Sequence, residues 1–245
     1  MPCGLRVLPM PTPKCPDDSI PALVGEWWTT DEDRGLARGR LVRAFVPHVD
    51  QVPLEVIPEG RNDPTDHTTA RVRIAPLTVR RPSSLPPLPV AALPQFPGEH
   101  RVAYRGKIRP ALVLSTGGAD VPPALRVGGA PWQTSATVLV APYYGVERTD
   151  RRAGWDPQFV ERIRRAEYPQ YVWDSLPLND VHESILRLDH LQPVGRHQNA
   201  FEWTPHRLSG EALEIIDDWL VWLLKGELPD DGVLAFLRRE LRAAT

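Results

Sequence analysis

Arg109 stands directly before a proline in the run Arg105-Gly-Lys-Ile-Arg-Pro-Ala-Leu-Val-Leu-Ser115, and a second run, Ser135-Ala-Thr-Val-Leu-Val-Ala-Pro-Tyr-Tyr144, ends in two tyrosines. A guanidinium carries five donors in a rigid fork that matches phosphate oxygens, and phenolic hydroxyls beside it add further hydrogen-bonding capacity. Arg105, Lys107 and Arg109 recur at a spacing of two, so an extended chain points all three to one side, with Arg101 in the same series. Such a stripe suits a few phosphates; it is equally the charge that keeps an exposed strand edge from pairing with other chains. His182, His190, His197 and His206 match no finger, ribbon or His-Glu-x-x-His spacing, and Cys3 and Cys15 lie far from them, so no metal is expected. Ser115 and Ser135 lack the glycine context of a hydrolase elbow, and Gly117-Gly118 and Gly128-Gly129 lack the lysine and helix of a phosphate loop. Asp217 and Asp218 read as solubilising charge on the outer face of a helix.

These residues need strands to position them. The two apolar, β-branched runs, about 108–115 and 136–142, are bounded by glycine and proline and read as neighbouring strands. An earlier strand over Gly39–Val46 stops at Pro47, a strand-like island covers Ala70–Val79, and Ser184–Leu191 reads as another strand. Asp156-Pro157 opens a helix to about Glu167, with an N-cap and a proline at the first position. Ser209 caps the strongest helix, Gly210–Lys225, where Leu213, Ile216, Leu220 and Leu223 make a stripe widened by Trp219 and Trp222. A short amphipathic helix over about 231–242 follows.

The 245 residues include 28 prolines, more than twice the usual share of about 5%. Eleven fall between Pro47 and Gly98, and Pro82–Pro97 reads as an extended polyproline-like loop. That region lacks the apolar residues for a core of its own. The expected organisation is an irregular leader over 1–25 and a single domain over 26–245, with insertions at about 47–100 and 145–180. A net charge of −2 argues against a protein that coats nucleic acid, while leaving room for a local basic patch. No apolar run approaches the roughly 20 residues of a membrane span, and a cytoplasmic protein is expected.

Arg38-Gly39 before an apolar strand, Ile108-Arg109-Pro110-Ala-Leu-Val-Leu-Ser115, Thr137-Val-Leu-Val-Ala-Pro142 and Ser184-Ile-Leu-Arg-Leu-Asp-His-Leu-Gln-Pro-Val194 together resemble the MazF/PemK/Kid family of toxin endoribonucleases. The resemblance implies a β-dominated α+β fold, an SH3-like β-barrel with a C-terminal helix, here carrying Pro-rich insertions. It also implies a homodimer that cuts single-stranded RNA without metal or other cofactor, no membrane association, and a cognate antitoxin as partner. Arg109 matches the family's arginine, which stabilises the phosphate as the 2′-hydroxyl attacks. The family's threonine falls on Tyr144, whose hydroxyl can donate to phosphate or whose ring can stack on a base. The acidic residue some members carry five places before the arginine is replaced by Tyr104. Asp189-His190 sits where the family has an acid followed by glutamine, which makes His190 a candidate general acid or base. Arg105, Lys107, Tyr143 and Arg148 are the candidate RNA contacts. Two other classes remain open: a catalytically inactive barrel that binds RNA or protein, and an unrelated β-rich interaction domain.

Overall fold

The computed structural model describes residues 15–33, 35–78, 90–94, 96, 98–130, 133–150, 153–178, 181–197 and 199–243. In chain order they form β1 (Trp28–Thr30), β2 (Arg40–Pro47), β3 (Leu54–Gly60), β4 (Arg71–Pro76), β5 (Val102–Ala103), β6 (Gly106–Ser115), β7 (Thr137–Gly145), α1 (Pro157–Arg164), β8 (Tyr171–Leu178), β9 (Val181–Arg187), β10 (Gln192–Gly195), β11 (Phe201–Leu208), α2 (Gly210–Lys225) and α3 (Val233–Ala243). One sheet runs β1-β11-β2-β6-β7-β9-β8, with β10 also paired to β7; the other runs β4-β3-β5. The fold is therefore β-dominated α+β with helices at its C-terminal end. The described strands form an open path from β1 to β8, not the closed ring that an SH3-like barrel requires.

The chain divides into two units, one of residues 1–44 and 108–245 and the other of residues 45–107. The second replaces the expected coreless insertion. It is organised by backbone ladders, since β3 pairs with both β4 and β5, with Ile57 buried among them. An Arg73–Glu59 ion pair and a His100–Glu55 hydrogen bond at 2.7 Å decorate it. The polyproline-like loop expected over Pro82–Pro97 lies mostly outside the described residues.

In the first unit the central strands are buried on both faces. Leu112, Ala141, Tyr143 and Leu186 join the core beneath α2 and α3, together with Ile215, Ile216, Trp219 and Leu237. Ala111, Val113, Val138 and Val140 pack into a second cluster with Val42 and Phe201. That is the pattern of continuous apolar runs expected for strands covered on both sides. The leader shrinks accordingly: Ile20 and Val24 are 1% and 7% exposed and belong to the core, so chain packing begins before residue 25.

The helices begin and end where the cap residues dictate. Asp156 accepts from the Phe159 N–H at 3.0 Å to open α1, which closes at Arg164, short of the expected Glu167. Ser209 accepts from the Ala212 N–H at 3.1 Å to open α2, and Gly226 closes it in the left-handed region at φ 80°. The two aspartates of α2 are not free solubilising charge. Asp217 pairs with Arg38, and Asp218 accepts from the Leu234 N–H at 2.9 Å to cap α3. No helix of the described residues is long and apolar enough to cross a membrane.

Gly39 fixes the entry to β2. Its N–H donates to the Val113 carbonyl at 2.7 Å, and its own carbonyl accepts from Leu208 at 2.9 Å. It holds φ +81°, and an added Cβ would sit 2.9 Å from Leu213 Cδ2 on α2. Gly39→Ala combines a strained backbone with a clash, so urea unfolding should show a loss of about 1–3 kcal/mol. Unchanged stability would contradict this reading of the β2 entry.

Candidate functional site

Strand register builds the site. Ala111 pairs with Pro142, Leu112 with Ala141 and Val113 with Val140; two residues further along the same register, Arg109 stands opposite Tyr144. Directly opposed side chains share a face, and the Arg109 guanidinium lies 4.3 Å from the centroid of the Tyr144 ring. Such a cation–π contact contributes about 0.5–2 kcal/mol and holds the guanidinium in place.

On the other side β7 pairs with β9, Tyr144 opposite Ile185. The strand expected to run from Ser184 to Leu191 ends instead at Arg187, and Leu188–His190 make one 3-10 turn. Leu188 is fully buried and anchors that turn, while its N–H donates to the Gln170 carbonyl at 2.9 Å. The turn folds Asp189 and His190 back toward Arg187. Arg187 grips Asp189 with two bonds, Nε to Oδ1 at 2.7 Å and Nη2 to Oδ2 at 2.5 Å. Its Nη2 also reaches His190 Nε2 at 2.8 Å. The other ring nitrogen, Nδ1, lies 2.8 Å from the Tyr144 hydroxyl, and the imidazole meets the Tyr144 ring edge-on at 80°.

Arg187 thus ties the cluster together. Its guanidinium is 5.0 Å from the Tyr171 ring and 5.8 Å from that of Tyr144, and Tyr171 is its partner across the β8–β9 ladder. Burial alone would lower its pKa; the hydrogen bonds and charge of Asp189 outweigh that and raise it above the ordinary arginine value. Its side chain is only 18% exposed. Sequence reading did not single it out, because its role depends on the turn that follows it. The available signal was the Arg-Leu-Asp-His spacing, which a turn closes and a strand does not.

The structure therefore brings Arg109, Tyr144 and His190 into one cluster. It places the remaining candidates elsewhere. Tyr143 is 2% exposed and points to the opposite side of β7, so the expected RNA contact is a core residue. Its hydroxyl donates to Asp174 at 2.9 Å. Arg148 is exposed in the loop beyond the end of β7. Arg105 and Lys107 belong to the second unit, where Arg105 lines a cleft of about 300 Å³ with His48, Gln51, Leu54 and Tyr104.

Asp174 is a second feature that sequence reading missed. It is 1% exposed, and besides Tyr143 it accepts from Trp28 Nε1 at 3.0 Å. Desolvation outweighs these bonds and lifts its pKa from 3.8 to about 6. Desolvation, with the Tyr143–Asp174 interaction adding to it, raises the Tyr143 hydroxyl well above its ordinary value. Cys15 is no reactive thiol, since burial first and the Asp174 charge second push it to about 11.

The chain matches no protein-family model, no curated protein and no solved structure.

The raised Asp174 pKa fixes a pH dependence. The folded state holds this proton more tightly than the unfolded chain, so the contribution is fully present below about pH 4. It is lost as pH rises through about 6, a change of about 3 kcal/mol for a shift of about two units. Asp174→Asn can still accept from Trp28 and pair with Tyr143, without the buried charge. Thermal melts should show the variant gaining on the parent chain between about pH 4 and pH 7; a constant difference would contradict the assignment.

Proposed function

We propose that this chain is a MazF/PemK-like endoribonuclease that cleaves single-stranded RNA. The observation that carries the reading is the convergence of Arg109, Tyr144 and His190, which come from three separate segments. The proposed reaction has the ribose 2′-oxygen attack phosphorus while the P–O5′ bond breaks. The products are a 2′,3′-cyclic phosphate and a 5′-hydroxyl. Arg109 takes up the charge that gathers on the phosphate oxygens in the transition state. The proton lost by the 2′-hydroxyl reaches the departing 5′-oxygen by way of a non-bridging phosphate oxygen, to which Tyr144 donates with His190 hydrogen-bonded behind it. The Tyr144 ring, already bearing a guanidinium, is also a platform of the kind on which unpaired bases stack.

The resemblance supplies the rest of the proposal. The strands around β6 and β7 are the counterpart of the family's small SH3-like barrel, elaborated by the second unit. The working form is a cytoplasmic homodimer held in check by an antitoxin, and no metal takes part in the reaction.

A second reading, an RNA- or protein-binding module without catalysis, is favoured by one contact. Arg187 Nη2 occupies the His190 Nε2 lone pair, the atom a general base would use, and the family's threonine is replaced by tyrosine.

Incubating the protein with a mixed single-stranded RNA pool in EDTA decides between them. The nuclease reading predicts fragments with 5′-hydroxyl ends and a loss of at least ~100-fold for Arg109→Ala. RNA binding without cleavage would establish the second reading in its place.

A further inference from the structure

Hydrogen-bond polarity runs one way through this cluster. An ionised carboxylate only accepts and an arginine only donates, so Asp189 receives both bonds from Arg187. Arg187 in turn donates to His190 Nε2. That nitrogen carries a lone pair, and the neutral ring therefore keeps its proton on Nδ1. Nδ1 then donates to the Tyr144 oxygen at 2.8 Å. The phenol has used its oxygen as acceptor toward His190, and its own proton is directed to a different acceptor.

We propose that Arg187, locked by Asp189, is a positioning residue that holds His190 as its Nδ1–H tautomer, so that Tyr144 presents its hydroxyl proton to a phosphate oxygen of bound RNA. The inference rests on the nuclease reading and divides the labour within the Tyr144–His190 pair. Tyr144 touches the ligand, and His190 works from behind it.

The local packing suits a fixed part more than a moving one. The Arg187 guanidinium is held by Asp189, by His190 and by the face of Tyr171 at once. The turn that carries His190 is pinned by buried Leu188. Without the Arg187 donor, Nε2 is released and the ring can carry its proton there. Nδ1 then accepts from the Tyr144 hydroxyl, and the phenol proton is spent inside the protein. The orientation of one second-row hydrogen bond thus sets what the site offers a ligand.

Two measurements test this together. An asparagine amide N–H can stand where Nδ1–H stands but cannot shuttle protons, whereas a glutamine amide reaches the Nε2 position. His190→Asn should therefore lose no more than about tenfold in RNA cleavage, while His190→Gln and His190→Ala lose at least ~100-fold. An asparagine variant that is folded by circular dichroism yet as impaired as alanine overturns the proposal, because His190 then exchanges protons itself. Imidazole 15N spectra of the free protein should show Nδ1 protonated and Nε2 bare, with Arg187→Met moving the proton to Nε2. A wild-type Nε2–H signal overturns the proposal whether or not RNA is cut. If the wild type binds RNA without cutting it, the nuclease reading fails alone, and the His190 series is read from RNA affinity with the same order expected.

Discussion

The register of β6 against β7 is the constraint on which the first unit depends. These strands lie near the middle of the sheet, and both of their faces are covered by apolar clusters. A slip of one residue would turn every side chain to the wrong face, so the pairing of Val113 with Val140 is strongly specified. Everything functional at the end of the pair follows from it. Arg109 is set opposite Tyr144, and alternation along β7 sends Tyr143 down to Asp174 while Tyr144 turns to the other side. Adjacent tyrosines acquire unrelated chemistry from the period of two alone.

The same constraint explains why a cluster of charged residues can be stiff here. Arg109 stacks on a ring carried by a buried strand, and Arg187 closes β9 directly before a turn anchored in the core. Holding two guanidiniums around one tyrosine costs mutual repulsion, which Asp189 offsets for Arg187. A site that is organised before a ligand arrives spends less binding energy on ordering its own side chains.

Much of this frame was legible in the sequence. The runs that became β6 and β7 are long, apolar and bounded by glycine and proline. Helix α2 begins and ends at Ser209 and Gly226, the residue types that cap helices. Other elements hid themselves for physical reasons. Strand β11 contains Pro205 and a break in register between Trp203 and Arg207, so its alternation is interrupted. Strand β8 carries Asp174 in its middle, and that acid is tolerable because Trp28 reaches it from 146 residues away and Tyr143 from 31. The second unit is held by ladders between strands of modest hydrophobicity, which leave no clear apolar pattern. Arg109, Tyr144 and His190 could be singled out by type and position. Arg187 carried a weaker signal, the Arg-Leu-Asp-His spacing, whose meaning depends on the strand ending at residue 187 and a turn following it.

The central claim is that the Tyr144 hydroxyl, and not merely its ring, acts on bound RNA. Tyr144→Phe separates the two, since it keeps the aromatic face beneath Arg109 and Arg187 and removes only the oxygen. Cleavage and affinity should therefore be measured on the same single-stranded RNA for this variant and the parent chain. The account predicts cleavage reduced by at least ~100-fold with a clearly smaller loss of binding. Cleavage at the parental rate would contradict it.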